Sequence, residues 1–326
     1  MTRLGYQIPN FTYPGVDSAG LFDRVAAQAK AANRSGFDTV MVMDHFYQLP
    51  MLGDPEANML ECYTLLGALA RETSTVRLGA LVTGNTYRNP ALLAKIVTTL
   101  DVVSNGRAQL GIGAGWFEFE HDSLGFEFGT FTDRFEKLEE ALQIILPMLN
   151  GDQRPSLSGK HYTVDTAINQ PQPVGRIPVM IGGTGEKKTL RMVAQYADAA
   201  NFTSHYSEIP HKLEVLDGHC ARLGRDRSTI TVSQALNVCI AETHDDAYAD
   251  MVAFLATRGL DITTLDQAFV DSLLAMVVWG DADEVGEQIA AVKALGVDGV
   301  TCSLPANGWN PDRVELLGQV ASKALA

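Results

Sequence analysis

Apolar residues fall along this chain in two alternating rhythms. Short, largely apolar runs recur at Leu4 to Ile8, Thr39 to Met43, Arg77 to Val82, Gln109 to Ile112, Val179 to Ile181, Ala199 to Phe202, Thr229 to Ala241 and Gly299 to Leu304. Such runs predict strands buried on both faces, as in a parallel sheet. Between them apolar residues return every three or four positions, as Leu21, Phe22, Val25 and Ala29 do. That period predicts helices over about Ala19 to Arg34, Tyr63 to Arg71, Pro90 to Val103, Phe131 to Leu149, Leu213 to Arg222 and Pro311 to Leu325, with another directly after the strand at Val179. Gly36 and the turn Ser104-Asn105-Gly106 stop two of them, and Pro90 takes the first-turn position that helices tolerate.

Strand and helix alternate eight times with no Pro- or Gly-rich linker between halves. This predicts one α/β domain over residues 1–326, a (β/α)8 TIM barrel with insertions, with a doubly wound sheet as the structural alternative. Two stretches break the rhythm. Residues 151–176 hold Pro155, Pro171, Pro173 and turn residues around His161, and read as an excursion with a hairpin over the barrel mouth. Residues 243–295 hold more helix than one crossover needs and read as a helical insertion.

Composition narrows the function classes. Hydrophobic residues at 46% and charged residues at 20% describe a soluble globular protein, and no apolar run approaches the roughly 20 residues of a membrane span. A net charge of −14 argues against nucleic acid or an anionic membrane as partner, because both need a basic face. Cys62, Cys220, Cys239 and Cys302 are far apart and form no Cys-x-x-Cys pair, so reduced, mostly buried thiols are expected. The first residues enter a strand without a signal-peptide pattern, which gives a cytoplasmic expectation.

Against this acidic background, Pro178 to Ala194 stands out, since a short apolar strand passes through a glycine turn into a helix. Gly182, Gly183 and Gly185 permit a tight turn and close backbone approach, the first helical amides favour an anion, and Lys187, Lys188 and Arg191 add positive charge. A phosphate seat and a plain glycine-rich connection both fit this segment. Strand two ends in Asp44-His45, an acid and an imidazole at a barrel mouth, where chemistry sits. A helix-capping Asp with a His on the rim is the structural alternative. Strands three and four run into Thr83-Gly84-Asn85 and Gly113-Ala114-Gly115-Trp116, small residues that clear space for something flat. Trp116 and Phe117 either line a ligand or pack, and Glu118, Glu120 and His121 are either catalytic or solvated. The absence of other clearly placed strand-end histidines argues against a metal, and no Gly-x-Gly-x-x-Gly turn follows strand one.

Five segments, in this order and spacing, carry a resemblance: Gln7-Ile-Pro-Asn-Phe, Val42-Met-Asp-His-Phe, Leu78 to Pro90, Leu110 to Trp116, and Ile181 to Leu190. Through them the sequence resembles the luciferase-like monooxygenase superfamily, and within it the deazaflavin-dependent, actinobacterial branch, over nearly the whole chain. The resemblance implies a bacterial luciferase-like barrel that binds coenzyme F420 in its mouth. It implies a non-proline cis peptide at Leu81-Val82, one residue either way. It gives His45 as the catalytic proton donor and Asp44 as a cofactor-contacting acid. Cofactor contacts are further expected at Leu81, Val82 and Thr83, at Gly113, Ala114 and Gly115, and at Gly182, Gly183, Thr184, Gly185 and Lys187. Trp116 stands where the sugar-phosphate dehydrogenase of this branch has a catalytic glutamate, so that enzyme's substrate is not carried over.

The resulting expectation is an F420-dependent oxidoreductase that moves a hydride between the deazaflavin C5 and a small organic substrate. The alternatives are a monooxygenase using reduced FMN and oxygen, a catalytically silent flavin- or deazaflavin-binding protein, and a sugar-phosphate isomerase or aldolase. A homodimer is expected from the habit of relatives.

Overall fold

A computed structural model describes residues 3–151, 153–262 and 264–326. In chain order the elements are β1 (Leu4–Ile8), α1 (Leu21–Arg34), β2 (Thr39–Val42), α2 (Cys62–Glu72), β3 (Arg77–Ala80), β4 (Thr83–Gly84), α3 (Pro90–Ser104), β5 (Leu110–Gly113), α4 (Glu118–Leu124), α5 (Phe131–Leu149), β6 (Leu157–Ser158), β7 (Thr163–Val164), β8 (Val179–Gly182), α6 (Thr189–Tyr196), β9 (Ala199–Phe202), α7 (Ile209–Leu223), β10 (Thr231–Ile240), α8 (His244–Ala256), α9 (Gln267–Leu274), β11 (Val278–Gly280), α10 (Ala282–Ala294), β12 (Gly299–Ser303) and α11 (Pro311–Ala324).

The large sheet is parallel in the order β3-β2-β1-β12-β10-β9-β8-β5-β4. Its two ends are halves of one interrupted strand. β3 pairs with β2 and bridges from Leu78 to Ala108, while β4 pairs with β5, so the ring closes through strand three. Parallel neighbours need a crossover each time, and the helices that supply it bury their apolar faces against the ring. Several helix starts are written locally: Asn89 accepts from the amides of Ala91 and Leu92 ahead of Pro90, and Thr130 and Asp133 form a capping box at α5.

The barrel interior is filled below the mouth. A Cβ on Gly5 would come 2.7 Å from Met41 Cε and 3.0 Å from Thr301 Oγ1, so the first strand is glycine where side chains from the ring meet. Asn201 donates to Ser233 at 2.9 Å and Thr301 at 3.2 Å, which gives this packed layer a satisfied polar centre. Ligand chemistry is thereby confined to the upper rim.

The structure departs from the sequence expectations at three places. Strand three is not continuous through Val82, because a cis Leu81-Val82 peptide separates β3 from β4. Helix α4 was not anticipated; it is short, and its inward side carries Glu120 and His121 instead of a run of aliphatics. The helical insertion also contains a strand, β11, which pairs with the outer half of β10 and covers a small separate core of Cys239, Met251, Leu255, Ile262 and Val270. The expected hairpin is present as β6-β7, and Glu140 of α5 accepts from the amides of Lys160, His161 and Tyr162.

Candidate active site

Strand β2 delivers Asp44 and His45 to the rim just beyond its last paired residue. Asp44 is 2% exposed, and its carboxylate is committed within the protein. Oδ2 accepts from the Gly84 amide at 3.0 Å and Arg88 Nη1 at 2.7 Å, and Oδ1 accepts from Arg88 Nη2 at 2.9 Å. Arg88 also donates to Glu61 Oε1 at 2.8 Å and lies over the Tyr63 ring. Tyr63 in turn shares a 2.7 Å hydrogen bond with Thr83. Burial pushes the Asp44 carboxyl up and the guanidinium pulls it back down; the same pairing holds Arg88 above its usual value although burial opposes its charge. Asp44 therefore fastens the strand-three bulge to strand two. The sequence reading expects Asp44 to contact a cofactor, and three of the roughly four acceptor positions of its carboxylate are taken within the protein.

His45 has a different partner. Its Nδ1 lies 2.9 Å from Glu120 Oε2, and the Glu120 side chain is fully buried. Oε1 of the same carboxylate accepts from the amides of Phe46 at 2.6 Å and Tyr47 at 2.9 Å, and Oε2 also accepts from the Tyr87 hydroxyl at 2.5 Å. Burial opposes charge on Glu120, but the hydrogen bonds from His45 and Tyr87 outweigh it and hold the carboxyl below its usual value. An ionised carboxylate only accepts, so Nδ1 carries the proton and Nε2 is the ring nitrogen left for exchange. His121, next along α4, is structural: Nδ1 bonds the Phe117 carbonyl at 2.8 Å and Nε2 bonds Thr86 at 2.7 Å.

Sequence reasoning left Glu120 undecided between catalysis and solvation. In the run from Glu118 to Gly125, exposed Glu118 and Asp122 lie one helical turn apart with buried Glu120 and His121 between them, and Gly125 ends the helix in the left-handed conformation.

The bulge behind the rim is held from strand one. Gln7 Nε2 donates to the Leu81 carbonyl at 3.2 Å, and Ser303 donates to Gln7 Oε1 at 2.8 Å. Val82 then fills the space that the strand-end glycines leave. A Cβ on Gly182 would come 2.9 Å from Val82 Cγ1, and one on Gly113 would come 3.0 Å from Val82 Cγ2. Glycine at these two positions makes room for Val82; the sequence reading also expects cofactor contacts at both. Gly115 is required by its φ of +82° and by Thr86, whose Oγ1 would lie 2.7 Å from a Cβ there.

Across the mouth, Gly183 turns at φ +109° and donates to the Asn201 carbonyl. Among the described residues, the amides of Thr184, Gly185, Glu186 and Lys187 meet no acceptor, which leaves a run of peptide N–H groups available for an anion. Lys187 is exposed beside them. The two other cations expected here are turned elsewhere: Lys188 lies over the Phe131 and Phe135 rings at 5.3 and 5.4 Å, and Arg191 pairs with Glu139 at 2.8 Å. Glu186 is drawn away by Lys212.

The family model described as luciferase-like monooxygenase matches residues 2–299. The chain belongs to the luciferase-like monooxygenase family. Among curated members it is similar to the F420-dependent glucose-6-phosphate dehydrogenase of Microbacterium testaceum, 31% identical over 222 residues, which are 66% of this chain and 64% of that one. It is likewise similar to the 5,10-methylenetetrahydromethanopterin reductase of Archaeoglobus fulgidus, 30% identical over 243 residues, 73% of this chain and 67% of that one. In each case the match spans about two thirds of the relative's length.

Solved structures of the same fold include an F420-dependent secondary alcohol dehydrogenase in complex with an F420-acetone adduct, with a TM-score of 0.81 at 19% identity over 100% of this chain and 99% of that one. The coenzyme F420-dependent tetrahydromethanopterin reductase from Methanopyrus kandleri superposes with a TM-score of 0.79 at 20% identity, with the same coverage. The luciferase-like fold expected from the sequence segments is thus the fold observed, and the cis peptide lies at Leu81-Val82 as the resemblance implied.

Proposed function

We propose that this protein is a coenzyme F420-dependent oxidoreductase acting on a small organic substrate, with His45 exchanging the proton that accompanies hydride transfer. The observation that carries this reading is the pairing of two features on one rim: a histidine whose Nδ1 is anchored, and a turn of four unpaired amides with Lys187 beside it. The amide turn suits a phosphate-bearing cofactor, because peptide N–H groups bind an anion without adding charge to an acidic protein. Thr184, Gly185 and Lys187 would hold that phosphate, and the bulge at Leu81, Val82 and Thr83 would back the ring. The F420-dependent relatives named above support the choice of cofactor.

When bound, F420 supplies the carbon, C5, that accepts or donates a hydride. This chain's residues manage the proton. As an alcohol carbon gives up its hydride, the hydroxyl proton passes to Nε2 of His45, and the imidazolium that forms rests against the Glu120 carboxylate. In the opposite direction Nε2 returns the proton to the carbonyl oxygen. Tyr87 and the amides of Phe46 and Tyr47 keep Glu120 ionised and fixed throughout. Arg88 neutralises Asp44, so the second carboxylate of the rim leaves the proton inventory undisturbed.

Parallel fluorescence titrations with F420 and FMN at fixed ionic strength test the reading. Micromolar or tighter F420 binding with little FMN binding is expected. A preference for reduced FMN with oxygen consumption would replace it with the monooxygenase, and binding of neither would remove the phosphate assignment.

A further inference from the structure

An unusual amount of aromatic surface stands open beside His45. Trp116 is 56% exposed and Phe119 is 51% exposed, although both follow directly from the strand-β5 turn into α4 at the mouth. They belong to one connected row. Trp116 and Phe117 stack with centroids 5.1 Å apart, and both present an edge arrangement to the His45 ring at 5.7 and 5.8 Å. Phe119 continues the row 5.9 Å from Phe117 and meets Tyr47 at 5.6 Å. Core packing does not account for side chains that remain half in solvent, and exposed apolar surface gathered around a functional group marks a binding face.

The charges around this row define what can bind. Arg88 is taken by Asp44 and Glu61. Arg134 donates to the Gly115 and Gly129 carbonyls with its face on Phe128. Arg258 donates to the Pro50 carbonyl in the loop after β2, with its face over Phe254. The carboxylates of the row's own helix are exposed Glu118 and Asp122 and buried, ionised Glu120. An anionic group placed here would face the carboxylates of this helix, whereas a flat uncharged ring would stack on exposed aromatic faces at little desolvation cost.

We propose that Trp116, Phe117 and Phe119 form the substrate face of the site and select an uncharged, planar, ring-bearing ketone or its alcohol, in preference to a phosphorylated sugar. The inference rests on the F420 reading and adds the substrate class to it. Trp116 sets the ring plane, and the carbonyl or hydroxyl oxygen is turned toward Nε2 of His45.

The test uses the full chain loaded with oxidised F420 and titrated calorimetrically with 1-tetralone, a fused-ring ketone, and separately with glucose 6-phosphate. Submillimolar binding of 1-tetralone with a negative heat-capacity change, and no binding of the sugar phosphate at equal concentration, is the expected result. Trp116→Ala should weaken 1-tetralone at least tenfold while changing F420 affinity less than threefold, and Trp116→Phe should retain most of the affinity. The proposal is overturned if the loaded protein ignores 1-tetralone, if it binds glucose 6-phosphate instead, or if Trp116→Ala weakens F420 as much as the ketone, since the indole would then seat the cofactor. Failure of the wild type to take up F420 at all would instead overturn the reading beneath it, and this one with it.

Discussion

Nδ1 of His45 stands 2.9 Å from Oε2 of Glu120, and the same carboxylate holds the amides of the two residues that follow His45. One buried group therefore fixes both the imidazole and the backbone from which it grows. His45→Ala is expected to lower turnover about 10²- to 10⁴-fold, the usual worth of a positioned acid–base group, with F420 affinity within a few-fold of wild type. Glu120→Gln should cost about ten- to a hundredfold and displace the pH profile of kcat, while its circular dichroism stays unchanged. Steady-state kinetics on a substrate found by screening checks both; an unmoved pH profile in Glu120→Gln would reduce Glu120 to a packing role.

Acid should act on the fold through the same residue. Glu120 titrates lower in the folded protein than its ordinary value near 4.5. The stability it contributes is therefore complete above that ordinary value and disappears as pH falls through the lower folded value. Urea midpoints measured from pH 7 down to pH 3 should decline below about pH 4.5 in the wild type. In Glu120→Gln the decline should be shallower, and parallel curves would count against this assignment.

Arg88 is the shared partner of Asp44 and Glu61, and removing it strands a carboxylate that is 2% exposed. Breaking one side of such a buried pair typically costs about 3–5 kcal/mol. Arg88→Ala should fall in that range by urea denaturation. Arg88→Lys should recover only part of the loss, because a single ammonium cannot serve both oxygens of Asp44 in the forked geometry.

Two of the three basic residues that follow the glycine turn, Lys187 and Arg191, should separate cleanly. Lys187→Ala is expected to weaken F420 binding about three- to tenfold at low salt, with the difference shrinking as salt rises. Arg191→Ala should leave the affinity unaltered, since its guanidinium serves Glu139. Fluorescence titrations at 20 and 300 mM salt decide the matter, and equal losses in the two variants would contradict the placement.

The barrel was legible because its signals are local and repeated. Continuous apolar runs gave seven of the strands to within about two residues at each end, and Pro90 and Gly36 marked helix ends that the fold keeps. What escaped had no local signature. Strand three looks continuous from Arg77 to Val82 because the side chains on both sides of its break are apolar. Strand β11 is three residues long and is defined by pairing with β10, which lies far away in sequence. At the site, His45 was readable from its position after strand two, whereas Glu120 lies 75 residues away and becomes meaningful only when α4 folds against the loop after β2. Arg191 shows the converse: it sits in the right place along the chain but is captured by Glu139 from a neighbouring helix.

The open amides of Thr184 to Lys187 bear on how this site can drift over evolutionary time. A seat made of peptide groups depends on the path of the chain and hardly at all on which side chains it carries, apart from the glycine that turns at Gly183. Descendants could replace Thr184, Glu186 and Lys187 one after another and still present the anion seat proposed here, while the proposed wall at Trp116, made of side chains, would alter with every substitution. One rim of the barrel is thus conservative by construction and the other is free to explore new chemistry.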